Sequence, residues 1–94
     1  MDIRHEESGS KGRYFYSTEG GPLAEMTYSV AGSAMIIIDH TEVPEAYRGQ
    51  GVGQALVQRA VEDMRRAGKK ITPLCPFAAA QFRRHPDWQD VLSR

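Results

Sequence analysis

Residues 34–74 decide the fold, and they read AMIIIDHTEVPEAYRGQGVGQALVQRAVEDMRRAGKKITPL. The stretch opens on the apolar run Met35 to Ile38, whose lack of alternation is typical of a strand covered on both faces. From about Gly51, apolar residues recur at helical spacing, which predicts an amphipathic helix that ends near Ala67. A second strand is predicted at 70–74. A strand, a helix and a strand in this order predict a βαβ crossover between two parallel strands.

The residues before this unit show no helical period, and turn signals divide them into short segments. They predict an antiparallel meander with strands at 13–17, 23–30 and 34–40. A further short strand is expected near residues 2–5, and residues 6–12 are expected to form a mobile loop. The central position in the sheet is expected for the most apolar strand, the third one.

The residues after the unit predict one more helix. Pro76 suits the first turn of a helix at 77–84, and the pair His85-Pro86 breaks it. The predicted fold is therefore α/β (α+β): an antiparallel strand meander, a βαβ crossover and a short C-terminal helix. With 94 residues, the chain is long enough for a single domain, 1–94, and too short for two cores.

Composition excludes several classes of protein. The longest apolar run has five residues, Ala34 to Ile38, whereas a membrane-spanning helix needs about 20. The amino terminus has no apolar signal region, so we expect a cytoplasmic protein. Neither the net charge of zero nor any interleaved basic and aromatic stretch favours nucleic-acid binding, and we expect a monomer with no membrane partner.

The zero net charge conceals an asymmetry between the two halves of the chain. Residues 1–43 carry three basic and seven acidic side chains, a sum of −4, and residues 44–94 carry nine and five, a sum of +4. This distribution is consistent with an anionic ligand held by the second half. A solvated helix surface is the alternative explanation.

A glycine-rich turn, Arg48-Gly49-Gln50-Gly51-Val52-Gly53, lies between the apolar strand and the long helix. Unpaired backbone N–H groups and the positive end of the helix dipole can hold a phosphate at such a place. Glycines permit positive φ and close approach of a phosphate oxygen, and Arg48 adds a guanidinium group. The spacing is neither that of a Walker A loop nor Gly-x-Gly-x-x-Gly. The alternative is a flexible loop.

Two reactive side chains, His40 and Cys75, stand at the ends of the two predicted parallel strands, which meet at one edge of the sheet. The dipole of the following helix would stabilise a Cys75 thiolate, and His40 could act as a base or a cationic partner. The alternative is that Cys75 is a buried, apolar cysteine and that the hydrogen bonds of His40 are satisfied at the end of its strand. No metal site is predicted, because these residues lack a local ligand spacing.

The motif Arg48-x-x-Gly51-x-Gly53 resembles the acetyl-CoA pyrophosphate motif Gln/Arg-x-x-Gly-x-Gly/Ala of GNAT-type N-acetyltransferases. A compact subgroup, the small YjdJ/YidJ-like GNAT proteins, is similar in three further segments. These segments are His40-Thr41-Glu42-Val43-Pro44, Pro73-Leu74-Cys75-Pro76 and Arg84-His85-Pro86. The resemblance spans nearly the whole chain.

The resemblance implies an enzyme that takes acetyl from acetyl-CoA and transfers it to an amine or protein acceptor that the sequence does not identify. In this family pantetheine bonds to the main chain of the strand before the glycine turn, and the turn holds the pyrophosphate. The donor-binding residues implied are Thr41, Glu42, Val43, Arg48, Gly49, Gln50, Gly51, Val52, Gly53 and Gln54. The catalytic residues implied are Cys75, as a nucleophile, and His40, as a base.

The chain departs from full-length GNAT enzymes in lacking two amino-terminal helices and several carboxy-terminal strands, which usually build the acceptor pocket. A CoA-binding module without turnover and a protein-interaction module therefore stand as alternatives to the enzyme. The chemical route of acetyl transfer also stays open, since transfer through an acyl-cysteine and direct attack by the amine both fit the residues.

Overall fold

A computed structural model describes residues 1–93 and shows a five-stranded sheet packed against two α-helices. The elements are β1 (Arg4–Ser8), β2 (Lys11–Tyr16), β3 (Ala24–Ala31), β4 (Met35–Glu42), α1 (Val52–Ala67), β5 (Lys70–Pro73) and α2 (Pro76–Arg84). Short 3₁₀ turns occupy Glu45–Tyr47 and Pro86–Trp88. The strands lie in the order β1-β2-β3-β4-β5, antiparallel as far as β4, and β5 is parallel to β4.

The sheet and the helices form two layers around one core. Alternate residues of β3 and of the first half of β4 are buried, together with Tyr14 of β2, so one face of the sheet is apolar and meets α1. Helix α1 presents the predicted stripe to that face, namely Val52, Leu56, Val57, Ala60, Val61 and Met64. Gly68, with φ of 71°, ends α1 in the left-handed conformation directly after Ala67, where the sequence predicts the end of the helix. In residues 1–93, no helix combines the length and the apolar character that crossing a bilayer requires.

The βαβ crossover is confirmed, because β4 and β5 pair in parallel from Met35 opposite Lys70 to Ile38 opposite Pro73. The expectation that both faces of this strand are covered is wrong. Ile36 and Ile38 are buried under the helices, whereas Ile37 is only half-buried on the other face. That outer face also carries polar side chains of the meander. The helices therefore cover this strand on one face only.

The predicted loop at residues 6–12 is also wrong, since these residues belong to the β1–β2 hairpin. Every residue of β1 is exposed, so the strand has no apolar alternation to read. Its pairing with β2 is supported by charge, because Arg13 Nε donates to Glu6 Oε1 at 2.7 Å. The same guanidinium links β2 to β3, where Arg13 Nη1 donates to Glu25 Oε2 at 2.8 Å. The strand expected near residues 2–5 therefore begins and ends later, at Arg4–Ser8.

A buried polar link fastens the hairpin to α1. The fully buried Tyr14 donates its hydroxyl proton to Asp63 Oδ2 at 2.8 Å, and Arg59 Nε donates to the same carboxylate at 3.2 Å. Arg59 Nη1 also donates to the carbonyl oxygen of Ile3 at 2.7 Å. Burial first, and then the hydrogen bond to Asp63, raise the pKa of Tyr14 well above its ordinary value.

The variant Tyr14→Phe tests this link. We expect its free energy of unfolding at pH 7 to fall by about 1–2 kcal/mol, because Asp63 loses a buried donor. The raised pKa means that folding favours the neutral phenol, so this stabilisation is present below about pH 10 and is lost as the pH rises above it. Urea unfolding of both proteins at a series of alkaline pH values measures the difference. If the free energies of unfolding of the two proteins declined in parallel as the pH rose, this result would contradict the assigned hydrogen bond between Tyr14 and Asp63.

Candidate functional site

Strands β4 and β5 separate after Ile38. The parallel ladder ends there, and the backbone N–H groups of Leu74 and Cys75 both donate to the carbonyl oxygen of Ile38, at 3.1 and 3.2 Å. Strand β4 continues to Glu42 with β3 as its neighbour, so the edge of β4 that faced β5 has no ladder partner beyond this point. The separation leaves an open edge at the carboxyl end of the strand, where ligands of α/β sheets bind.

A β-bulge at the same place decides on which face of the sheet the last side chains of β4 lie. The register passes from Tyr28 opposite Ile38 to Thr27 opposite His40, which leaves Asp39 as the extra residue. Thr41 then lies opposite the buried Met26, on the face that the helices cover. His40 lies on the outer face, is exposed, and has no side-chain hydrogen bond or ion pair within residues 1–93.

Cys75 occupies the N-cap position of α2 and is only 4% exposed. Its thiol contacts Thr41, with Sγ donating to Oγ1 at 3.4 Å. The structure therefore brings His40 and Cys75 to the same end of the sheet but places them on opposite faces, without a hydrogen bond between them. Thr41 is the thiol's partner, and the sequence offered no signal for this because the bulge decides the face.

The glycine turn follows the 3₁₀ turn at Glu45–Tyr47. Gly49 and Gly51 have φ of 77° and 76°, a backbone conformation that other residues adopt only with strain. Gly51 is the N-cap of α1 and provides no side chain to cap it. Within residues 1–93, the backbone N–H groups of Gly51, Val52, Gly53 and Gln54 have no hydrogen-bond acceptor. Since the first turn of α1 also carries no acidic residue, these donors are available to an anion.

These donors open into a cavity of about 250 Å³ whose other walls are Val43, Tyr47, Phe77 and Gln81. Among the predicted donor-binding residues, those that line it are Val43, Arg48, Gly49, Gly51, Val52, Gly53 and Gln54. Thr41, Glu42 and Gln50 do not line it. Gln50 instead donates from Nε2 to the carbonyl oxygen of Ala46, at 3.2 Å.

Arg48 adds an adjustable positive charge beside the turn. Its Nη1 donates to Glu45 Oε1 at 2.9 Å, and both side chains are about 80% exposed. An exposed ion pair of this kind contributes little to stability, so the guanidinium can leave Glu45 for a bound anion at small cost.

A larger depression, of about 690 Å³, lies away from the glycine turn and is lined by residues of β1 to β4. Its charged groups have partners within the depression: Arg13 pairs with Glu6 at 2.7 Å, Lys11 with Asp39 at 3.9 Å, and Glu7 accepts from the Tyr28 hydroxyl at 2.7 Å. Because these charges already have partners, the smaller cavity with its unpaired donors is the better candidate for an anion site.

Tyr47 fixes the outer wall of the smaller cavity. It is buried, its hydroxyl donates to the carbonyl oxygen of Pro22 at 2.6 Å, and the same hydroxyl accepts from the backbone N–H of Thr18 at 3.0 Å. These bonds hold the loop between β2 and β3 against the entrance to the glycine turn. The sequence analysis missed this role.

The sequence analysis also missed Gln81, although the sequence of α2 contains a signal for it. It stands three residues after Ala78 and one before Phe82, on the buried face of α2 where an apolar residue is expected. It is 5% exposed, and its Oε1 has no hydrogen-bond partner among the described residues. The carbonyl oxygen of Gln81 accepts from His85 Nδ1 at 2.8 Å, and the ring of His85 stacks on Trp88 at 3.8 Å.

The ring of Phe77 explains why residue 53 is a glycine. A Cβ added at Gly53 would lie 2.5 Å from Cζ of the Phe77 ring, so the aromatic ring packs directly on the backbone of the first turn of α1. Alanine is otherwise preferred to glycine in a helix by about 1 kcal/mol. Packing of the Phe77 ring in this position therefore favours a glycine at residue 53.

A double-mutant cycle tests this packing. We expect Gly53→Ala to stabilise the Phe77→Ala protein by about 1 kcal/mol and to give no such gain when Phe77 is present, because the ring must then move. Urea unfolding of the four proteins measures the coupling. Additive effects would show that the ring does not rest on Gly53.

Comparison with known proteins agrees with this architecture. A sequence model of the family described as "GCN5-related N-acetyl-transferase" matches residues 13–91. The solution structure of a GCN5-like candidate N-acetyltransferase from Staphylococcus aureus superposes with a TM-score of 0.73 and 33% identity, covering 98% of this chain and 87% of that one.

Relatives in vertebrates are more distant. The protein NATD1 of Homo sapiens is 29% identical over 63 residues, which cover 67% of this chain and 56% of the human protein, and that of Gallus gallus gives the same identity with 57% coverage. The match thus spans little more than half the length of these relatives. The family match over most of the chain, with the structural match over nearly all of it, establishes that the protein belongs to the GCN5-related N-acetyltransferase family.

Proposed function

We propose that this protein is an acyltransferase that binds acetyl-CoA and transfers its acetyl group to an amine. The observation that carries the proposal is the glycine turn, whose unpaired N–H groups open into the cavity beside the separated strands. Two phosphates need several donors and a positive potential, and the amino end of α1 supplies both. Family membership adds to this the general use of acetyl-CoA.

The shape of the site fits an elongated donor. The pyrophosphate lies against the backbone of residues 48–54, and the pantetheine arm runs from there along the unpaired edge of β4, at Thr41, Glu42 and Val43. An arm with amide groups suits such an edge because it can replace the missing ladder partner. The thioester then reaches the gap between β4 and β5, beside Cys75.

Transfer requires the amine nitrogen to attack the thioester carbonyl carbon, after which the carbon–sulfur bond breaks and CoA leaves as its thiol. A base must remove a proton from the nitrogen, and the departing sulfur takes up one proton, which the protonated base returns directly or through water. His40 is exposed on the outer face and free of partners within residues 1–93, so it can accept the proton from an amine that arrives on that side. We assign His40 as the base.

Cys75 offers a second route on the helix side. Its thiolate would first take the acetyl group, with CoA released, and the amine would then attack the acetyl-cysteine. The Thr41 hydroxyl, which accepts from the thiol at 3.4 Å, orients Sγ at the gap. We keep Cys75 as the nucleophile of this route, and the mass of the protein after exposure to acetyl-CoA decides between the two.

Binding is tested with Gly51→Asp and its matched control Gly32→Asp. Both glycines have positive φ, 76° and 67°, and open space where a Cβ would lie, but Gly32 is in the β3–β4 turn. An aspartate at this position would place a negative charge beside the N–H groups available to phosphate and would repel it. We expect Gly51→Asp to weaken acetyl-CoA binding at least tenfold, and Gly32→Asp to leave it unchanged, by calorimetric titration.

Two results would contradict the binding proposal. One is the absence of saturable binding of acetyl-CoA to the wild-type protein at millimolar concentration. The other is equal affinity in the two variants. Either would show that the glycine turn is only a connection between β4 and α1.

Catalysis is tested with His40→Ala and Cys75→Ala on a panel of amines. We expect His40→Ala to lower the rate of transfer about 100-fold at neutral pH, the ordinary contribution of a general base. An acetyl adduct that forms on the wild-type protein without an amine, and not on Cys75→Ala, would establish the acyl-cysteine route. Wild-type rates in both variants would refute both roles, and binding without any turnover would identify a CoA-binding module.

A further inference from the structure

The larger depression, of about 690 Å³, has no part in the binding of the acetyl donor. Its volume is that of a small-molecule site. Two of its lining residues adjoin the proposed base, since Asp39 precedes His40 in the chain and Thr27 lies opposite His40 in the sheet. The depression therefore reaches the place where we expect the acceptor amine to arrive.

The depression lies on the outer face of the sheet. Thr27 and Ser29 alternate along β3 with residues that are buried under the helices, so both side chains point to the opposite face. Ser29 Oγ donates to Asp39 Oδ2 at 2.8 Å, which places the Asp39 carboxylate on this face as well. Because of the bulge, the consecutive residues Asp39 and His40 thus share the outer face.

Lys11 and Asp39 form a loose ion pair in this depression. Lys11 Nζ and Asp39 Oδ2 are 3.9 Å apart, and Ser29 Oγ bridges them by accepting from Lys11 at 2.7 Å. Their side chains are 73% and 37% exposed, so the pair contributes little to stability and can open at small cost. By contrast, Arg13 is held between two glutamates at 2.7 and 2.8 Å.

Both members of the loose pair have bonding capacity left. An ammonium group has three donors, and within residues 1–93 one donor of Lys11 has a hydrogen-bond acceptor, the Ser29 hydroxyl. The second carboxylate oxygen of Asp39, Oδ1, accepts no hydrogen bond in the same part of the chain. A free donor of positive charge and a free acceptor of negative charge therefore stand about one ion-pair distance apart.

The spacing of these two groups favours a zwitterion. A ligand with one sign of charge would bind one member of the pair and repel the other, whereas a zwitterion satisfies both. In an α-amino acid the nitrogen and the nearer carboxylate oxygen are about 3 Å apart, which is close to the separation of Lys11 Nζ and Asp39 Oδ2. The terminal amine of a peptide has no carboxylate beside it and lacks this match.

We propose that the depression binds a free α-amino acid, with its carboxylate on Lys11 and its ammonium group on Asp39, and that this amino acid is the acetyl acceptor. The nitrogen then lies beside His40, and the rest of the depression holds the side chain of the ligand. The inference rests on the proposed function, because it names the acceptor of the same reaction.

The transfer step balances with these groups. The ammonium group becomes a nucleophile by releasing one proton to water. As the nitrogen attacks the thioester carbonyl carbon, a second proton passes to His40 and returns to the sulfur when the carbon–sulfur bond breaks. The products are an N-acetylated amino acid and the thiol of CoA.

Binding is tested without acetyl-CoA, so that it does not depend on turnover. The wild-type protein is titrated with leucine, glutamate and arginine, and with the amide of each, while its backbone N–H signals are followed by NMR. We expect the signals of Lys11, Ser29 and Asp39 to move with the amino acids and those of the glycine turn to stay in place. The amides, which lack the carboxylate, should bind about 10-fold more weakly.

Two variants separate the two contacts. Lys11→Met should weaken the amino acids about 10-fold and leave the amides unchanged, whereas Asp39→Asn should weaken both kinds of ligand. The matched controls are Lys69→Met and Asp87→Asn, which lie outside the depression and should bind as the wild type does. The melting temperatures should stay close to that of the wild type, because the Lys11–Asp39 pair is loose and exposed.

Transfer is then measured with acetyl-CoA, leucine and 3-methylbutylamine, which is leucine without its carboxylate. We expect the wild-type protein to prefer leucine, and Lys11→Met to raise the KM for leucine about 10-fold with little change in kcat, since Lys11 binds the carboxylate and not the reacting nitrogen. The KM for 3-methylbutylamine should be the same in both proteins.

The outcomes separate this inference from the proposed function. Equal affinity for amino acids and amides, or a Lys11→Met protein that binds leucine as the wild type does, overturns the amino-acid site and leaves the proposed function standing. Acetylation of 3-methylbutylamine in preference to bound leucine overturns the role of the amino acid as acceptor. A wild-type protein that binds no acetyl-CoA overturns the proposed function, and the acceptor role with it.

Discussion

One carbonyl oxygen, that of Ile38, determines how the site is built. It accepts the N–H groups of both Leu74 and Cys75, which ends the parallel ladder and turns the chain away from β4 into α2. Two prolines assist, since Pro73 and Pro76 have no N–H with which to continue the pairing. The open edge of β4, the position of Cys75 and the wall of the cavity all follow from this separation.

Helix α1 gives up local stability to keep its amino end open. Its N-cap, Gly51, has no capping side chain, and its second residue, Gly53, is a glycine, which weakens a helix. The loss is offset by the apolar stripe, whose members from Val52 to Val61 are almost completely buried against the sheet. Tertiary packing thus holds a helix whose first turn keeps unpaired N–H groups.

The sequence was sufficient for those parts of the fold that depend on periodicity or on glycine. The bounds of α1 follow from its stripe and from Gly68, and the parallel strand follows from the crossover. It was insufficient where one extra residue decides a face: the bulge at Asp39 places His40 on the outer side and Thr41 beside Cys75. Strand β1 was expected near residues 2–5 and lies at Arg4–Ser8, because a strand that buries nothing has no apolar pattern to mark its bounds, and Gln81 was missed because polar residues on short helices are ordinarily taken as surface.

The exposed strand β1 also affects how copies of the chain behave toward one another. A sheet edge with free backbone groups invites a strand from another molecule. Here the edge has only five residues, and Arg4, Glu6 and Glu7 carry charges along it. A second strand would have to desolvate these charges in order to pair, so the edge that is hardest to recognise in the sequence is also the one that protects the sheet from growing into an aggregate.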